Sequence, residues 1–143
     1  MLKGIAKAIS PELLKTLSEM GHGDEIVIAD ANFPSASLGR KVIRADGIGG
    51  PEMLDAVLSL LPLDAYSDPN VVLMQLMERD EGKVNPVIWK EYDRIANKND
   101  KNAKIGKIDR FAFYERAKKA YAIIATGEKA IYANVLLTKG VIE

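Results

Sequence analysis

The sequence predicts a single-domain α/β protein over residues 1–143, with a mixed β-sheet flanked by helices on both faces as a three-layer α/β/α sandwich. Two observations carry this expectation. A helical repeat, a glycine and an unbroken apolar run follow one another within the first thirty residues. The alternation of helix-like and strand-like segments then continues to the C-terminus.

Ser10-Pro11-Glu12 opens the first helix: Ser10 can cap, Pro11 suits the first helical position, and Glu12 sits at the positive end of the helix dipole. Leu13, Leu14, Leu17 and Met20 repeat at helical spacing, and Gly21 is a natural stop. Ile26-Val27-Ile28-Ala29 reads as a strand buried on both faces. Val42-Ile43 is a short strand, and Pro51-Glu52 begins a helix that buries Met53, Leu54, Val57 and Leu61 before Pro62 limits it. Val71 to Met77 reads as a further strand, followed by a turn near Glu81-Gly82. Asn85-Pro86 leads into a helix carrying Trp89, Tyr92 and Ile95. The polar stretch Asn97 to Lys104 reads as a solvated loop. Phe111 to Ala120 is helical, with Glu115 at favourable separations from Lys118 and Lys119. Ala122 to Thr126 and Ile131 to Thr138 read as two strands around the turn Gly127-Glu128-Lys129, which predicts an antiparallel hairpin.

Composition narrows the chemistry. With 48% hydrophobic and 28% charged residues the chain has a globular profile, and 20 basic against 20 acidic residues leave no excess for non-specific nucleic-acid binding. Without cysteine there is no disulfide, thiol nucleophile or thiolate metal site, and one histidine nearly excludes an ordinary zinc site. The N-terminal residues lack a signal peptide's apolar region, and no apolar stretch approaches a membrane span, so a cytoplasmic location is expected. No dinucleotide fingerprint, Walker-type loop or nucleophile elbow occurs, and nothing calls for a cofactor or metal. Gly47 to Gly50, before Pro51, is either an anion site at a helix N-terminus or a tight connection.

The candidate functional residues each carry two readings. His22, between Gly21 and Gly23, is either a capping or surface residue at a helix C-terminus or an accessible acid–base imidazole. Asp30 stands where an apolar strand gives way to polar chain, fit either to cap the turn or to accept hydrogen bonds from a hydroxylated ligand. Asp64 divides in the same way between loop structure and ligand contact. Arg110 and Tyr114, four apart, share one helical face, which is either a solvated face or part of a site. Tyr132 and Asn134, two apart in the expected strand, point to one face with Cα atoms roughly 6.5–7 Å apart. There they serve either a hydrogen-bonded core or a polar ligand.

The chain also resembles, from Leu2 to Val141, the L-fucose mutarotase/D-ribose pyranase family. The marks are Ser10-Pro11-Glu12-Leu13-Leu14, Gly21-His22-Gly23-Asp24-Glu25-Ile26-Val27, Asp30-Ala31-Asn32-Phe33-Pro34 and Ile43-Arg44-Ala45-Asp46-Gly47. Arg110-Phe111-Ala112-Phe113-Tyr114-Glu115-Arg116-Ala117, Thr126-Gly127-Glu128 and Tyr132-Ala133-Asn134-Val135-Leu136-Leu137 complete them. Each mark is weak alone; their order and spacing are specific. The resemblance implies a cofactor-independent isomerase that interconverts sugar anomers, with His22 as proton donor and Asp30, Arg110, Tyr132 and Asn134 around the sugar. It further implies site roles for Tyr114, as a catalytic group, and for Asp64, matching positions in animal-like members. The Arg110 segment resembles the fucose branch, so L-fucose is the expected substrate; Ala133 departs from the glycine of many fucose-branch members. Homo-oligomers, often rings, with sites near subunit contacts are implied as well. A D-ribose pyranase and a non-catalytic monosaccharide-binding oligomer are the alternatives.

Overall fold

A computed structural model describes residues 1–143. The elements are α1 (Pro11–Glu19), β1 (Glu25–Ala29), α2 (Ser35–Leu38), β2 (Val42–Ala45), α3 (Gly50–Leu58), β3 (Val71–Met74), a 3-10 turn (Glu78–Asp80), α4 (Ile88–Asn99), β4 (Ile105–Ile108), α5 (Arg110–Lys119), β5 (Ala122–Thr126) and β6 (Val135–Thr138). One six-stranded sheet runs in the order β2-β5-β1-β6-β3-β4. The pairs β2–β5, β5–β1 and β3–β4 are parallel, whereas β6 is antiparallel to both β1 and β3. Five strands therefore point one way and β6 alone runs against them.

Period-two alternation divides the strands' apolar side chains between two layers. Ile26 and Ile28 of β1 join Ile124, Val135 and Leu73 beneath α1, α3 and α4, where Leu13, Leu17, Met53, Leu54, Tyr92 and Ile95 close the larger core. Val27 and Ala29 join Val72, Ile123 and Leu136 on the other face, against Phe33 and the α5 residues Phe113 and Ala117. Both faces are thus covered, and the mixed three-layer α/β expectation is borne out. Ser10 caps α1 by accepting from the Leu13 N–H (3.1 Å), and Asp109 caps α5 by accepting from Phe111 and Ala112.

Three local expectations need correction. The predicted hairpin does not form: β5 and β6 lie on opposite sides of β1. Reading a strand from Ile131 shortened the connection, which in fact runs from Gly127 to Asn134 and crosses the end of β1, where the Ala31 N–H donates to the Glu128 carbonyl (2.8 Å). Tyr132 and Asn134 accordingly precede β6 rather than sharing a strand face, and Tyr132 has φ 58°. The strand from Val71 ends at Met74, and the polar stretch after Asn97 continues α4 to Asn99 before leading into β4, a strand the pattern did not announce. β4 sits at the sheet edge and is only partly buried, so it lacks the apolar run that marks a central strand.

Candidate active site

The carboxyl ends of β1, β3 and β4 and the amino end of β6 meet at one edge of the sheet, beside the reversed strand. Such a change of direction leaves a crevice outside the strand ends, where open α/β sheets place ligands. A cavity of about 330 Å³ opens there. Five of the predicted residues line it: Asp30, Arg110, Tyr114, Tyr132 and Asn134.

Asp30 and Asn134 hold each other. The Asp30 N–H donates to Asn134 Oδ1 (2.8 Å), and Asn134 Nδ2 donates to Asp30 Oδ2 (3.0 Å). The other Asp30 oxygen accepts from the Asn32 N–H (2.9 Å), which caps the turn and fixes the carboxylate at the cavity wall. Burial pushes the Asp30 carboxyl up, with the surrounding N–H donors pulling the other way. Arg110 opens α5, and its Nε donates to the Tyr114 hydroxyl (2.9 Å). Its guanidinium lies 5.2 Å from the Tyr114 ring centre, and Phe33 packs edge-on against that same ring at 5.4 Å. These contacts leave the two terminal nitrogens of Arg110 for a ligand's oxygen atoms.

Tyr132 is the most constrained residue of the cavity. Its hydroxyl donates to Asp80 Oδ2 (2.5 Å) and accepts from the Met77 N–H (3.1 Å). Its carbonyl accepts from Trp89 Nε1 (2.8 Å). Burial and then the bond to Asp80 push the phenol above its ordinary value. Asp80, Met77 and Asn32 also line the cavity, and sequence reasoning missed all three. Asp80 lies in a charged turn with no periodicity; only its pairing with a residue 52 positions away marks it.

His22 and Asp64 lie elsewhere. His22 precedes β1 and Asp30 follows it, and the five residues of β1 span roughly 16 Å at the usual strand rise. Asp64 stands at the same edge as His22, its N–H donating to the Thr138 carbonyl at the end of β6 (3.0 Å). The two form a dyad, with His22 Nε2 3.1 Å from Asp64 Oδ1. Ser67 Oγ donates to Asp64 Oδ2 (2.5 Å) and the Tyr66 N–H to Oδ1 (3.3 Å). The Ser67 hydroxyl first, then His22, hold the Asp64 carboxyl below the usual range. An ionised carboxylate only accepts hydrogen bonds, so Nε2 carries a proton and Nδ1 of the half-exposed ring is left for exchange. The chain thus has two chemically equipped regions at opposite edges of one sheet: a cavity lined by hydrogen-bonding side chains and a carboxylate-oriented imidazole. No group of three or more His, Asp or Glu side chains is arranged to hold a metal ion.

Comparison with known proteins places these features in a family context. Residues 3–142 match the RbsD / FucU transport protein family. Fucose mutarotase of Mus musculus is 51% identical over 146 residues, covering 99% of this chain and 95% of that protein. L-fucose mutarotase of Actinobacillus pleuropneumoniae serotype 5b (strain L20) is 48% identical, covering 99% and 97%. The crystal structure of the fucose mutarotase of Streptococcus pneumoniae in complex with L-fucose superposes with a TM-score of 0.92 at 52% identity, covering 99% of this chain and 100% of that one.

Proposed function

The chain belongs to the RbsD / FucU transport protein family, and from that premise we propose that it is an L-fucose mutarotase, interconverting the α and β anomers by acid–base opening and reclosure of the pyranose ring. The observation that carries this reading is the cavity at the reversed strand, where an oriented carboxylate, a guanidinium, two phenols and an amide converge. That set matches a ligand made of hydroxyl groups. Ring opening moves one proton from the anomeric hydroxyl to the ring oxygen, and reclosure returns it. No redox or group-transfer chemistry is required. Positioned acid–base groups contribute about 10²–10⁴-fold to such a step.

His22 is the proposed proton donor, and Asp64 orients it. Within one chain His22 cannot reach a sugar in the cavity, because the length of β1 separates them. A second copy must therefore bring its His22–Asp64 edge to the cavity of the first. This is a head-to-tail contact, which closes into a ring when its rotation permits. The proposed assembly is thus a homo-oligomer whose site is incomplete in the monomer. Tyr114, its hydroxyl oriented by Arg110 Nε, is proposed as a catalytic phenol that hydrogen-bonds the sugar at the cavity wall. No helix is long and apolar enough to cross a membrane, and the cysteine-free composition accords with a proposed cytoplasmic location.

Saturation-transfer NMR of L-fucose at anomeric equilibrium tests the reading. The protein is expected to speed α/β exchange of L-fucose more than that of D-ribose at matched concentration, and His22→Gln to abolish most of the effect with the fold retained. Broadened sugar signals without faster exchange would make it a binding protein. Faster exchange on ribose would place it in the other branch.

A further inference from the structure

Tyr132 is the one non-glycine residue with positive φ, at 58°. A bulky side chain adopts that conformation only where its surroundings over-determine it, and such strain gathers at functional sites. The determinants are Trp89 on its carbonyl, Tyr92 Oη donating to the next carbonyl, of Ala133 (2.9 Å), and two hydrogen bonds at the hydroxyl itself. A phenol has one proton to donate and two sites at which to accept. Here the proton is committed to Asp80 Oδ2 and one acceptor site to the Met77 N–H. What remains for a ligand is a single acceptor site. In this state Tyr132 receives a hydrogen bond from a sugar hydroxyl and cannot give one.

Resting on the mutarotase reading, we propose that Asp80 is a positioning residue that acts through Tyr132: it orients the phenol as an acceptor for the anomeric hydroxyl and takes the phenol's proton as the ring opens. A neutral phenol is too weak a base to accept a proton while keeping its own. With Asp80 behind it the transfer balances. The anomeric O–H proton passes to Tyr132 Oη as the Tyr132 proton passes to Asp80 Oδ2. The electron pair of the O–H bond becomes the second bond of the aldehyde. The C1–O5 bond breaks, its pair staying on O5, which takes the proton given by the imidazolium of the neighbouring copy. Reclosure on the other face of the aldehyde reverses each transfer and returns Tyr132, Asp80 and the imidazole to their starting states. The Arg79 Nε pairs with the same Asp80 oxygen at 3.9 Å, beyond hydrogen-bond distance, so Tyr132 is the side chain that donates to it.

Asp80→Asn separates this role from a merely structural one, because the amide oxygen still accepts from the Tyr132 hydroxyl while the base is lost. Exchange of L-fucose at saturating sugar is expected to fall by about 10²-fold, with the half-saturating concentration changed by less than about threefold. Asp80→Glu restores the carboxylate and is expected to recover part of the rate. In a Tyr132→Phe background Asp80→Asn is expected to cost less than about twofold, since the two groups act as one unit. Should Asp80→Asn fail to fold, Asp80→Ser removes the same carboxylate. Wild-type turnover in Asp80→Asn, an effect on half-saturation alone, or losses that multiply in the double variant would overturn the proposal. A wild-type protein with no effect on L-fucose exchange would overturn the functional reading beneath it.

Discussion

The Asp64 carboxylate holds the His22 ring with one oxygen and the Ser67 hydroxyl with the other. Both bonds favour the ionised form and keep the group below its ordinary value of 3.8. An acid whose folded pKa lies below its unfolded one binds fewer protons when folded, so stability falls as pH drops through that interval. Thermal unfolding of wild type and Asp64→Asn between about pH 7 and about pH 2 is therefore expected to show a wild-type advantage that is full above 3.8 and closes below it. A gap independent of pH would contradict the ionised dyad. The sequence placed Asp64 evenly between a loop role and a site role. Its Tyr66 and Ser67 contacts serve the loop, and the oxygen that accepts from Tyr66 also holds the imidazole 42 positions away. Spacing along the chain carries no sign of that second role.

At the scale of elements, the connection from β5 to β6 decides where Tyr132 and Asn134 stand, and Glu128 anchors it. Glu128 Oε2 accepts from the Gly50 N–H (2.9 Å) at the start of α3, and Oε1 from the Ala130 N–H (2.9 Å). The glycine-rich start of α3, read from sequence as an anion site or a tight connection, holds an anion that belongs to the chain itself. Glu128→Ala is expected to cost about 1–2 kcal/mol by unpairing both donors, measured by chemical denaturation. Gly127 faces a second constraint: a Cβ there would lie 2.0 Å from the Asp46 carbonyl oxygen, so Gly127→Ala forces backbone to move, at about 1–3 kcal/mol. Loss below about 0.5 kcal/mol in both variants would show that the connector does not depend on these contacts. The helices α1 and α3 were legible because a proline in the first turn and apolar spacing lie within each segment, and α5 because Glu115 stands at helical separations from Lys118 and Lys119. Strand order was not. β5 and β6 look like neighbours in sequence, yet β1 lies between them, and only the long-range bonds of the connector reveal the crossing.

At the scale of the whole molecule, the sheet is the reason the proposed site calls for two copies. Its carboxyl edge gathers Asp30, Arg110, Tyr114, Tyr132 and Asn134, and its opposite edge carries His22 and Asp64. Sequence reasoning named these seven residues around one sugar, with sites near subunit contacts; within one copy the length of β1 separates His22 and Asp64 from the other five. The separation makes the central claim testable without knowledge of the subunit number. His22→Gln spoils the edge proposed to donate the proton, and Arg110→Gln spoils the cavity proposed to hold the sugar. Each variant alone should lose most L-fucose anomer exchange by saturation-transfer NMR. Co-expressed in equal amounts, they should recover up to about one quarter of the wild-type rate per site, because a site is whole only when its cavity comes from one variant and its imidazole from the other. Exchange in the mixed assembly no faster than in either variant alone, with wild type active under the same conditions, would contradict a site shared between copies.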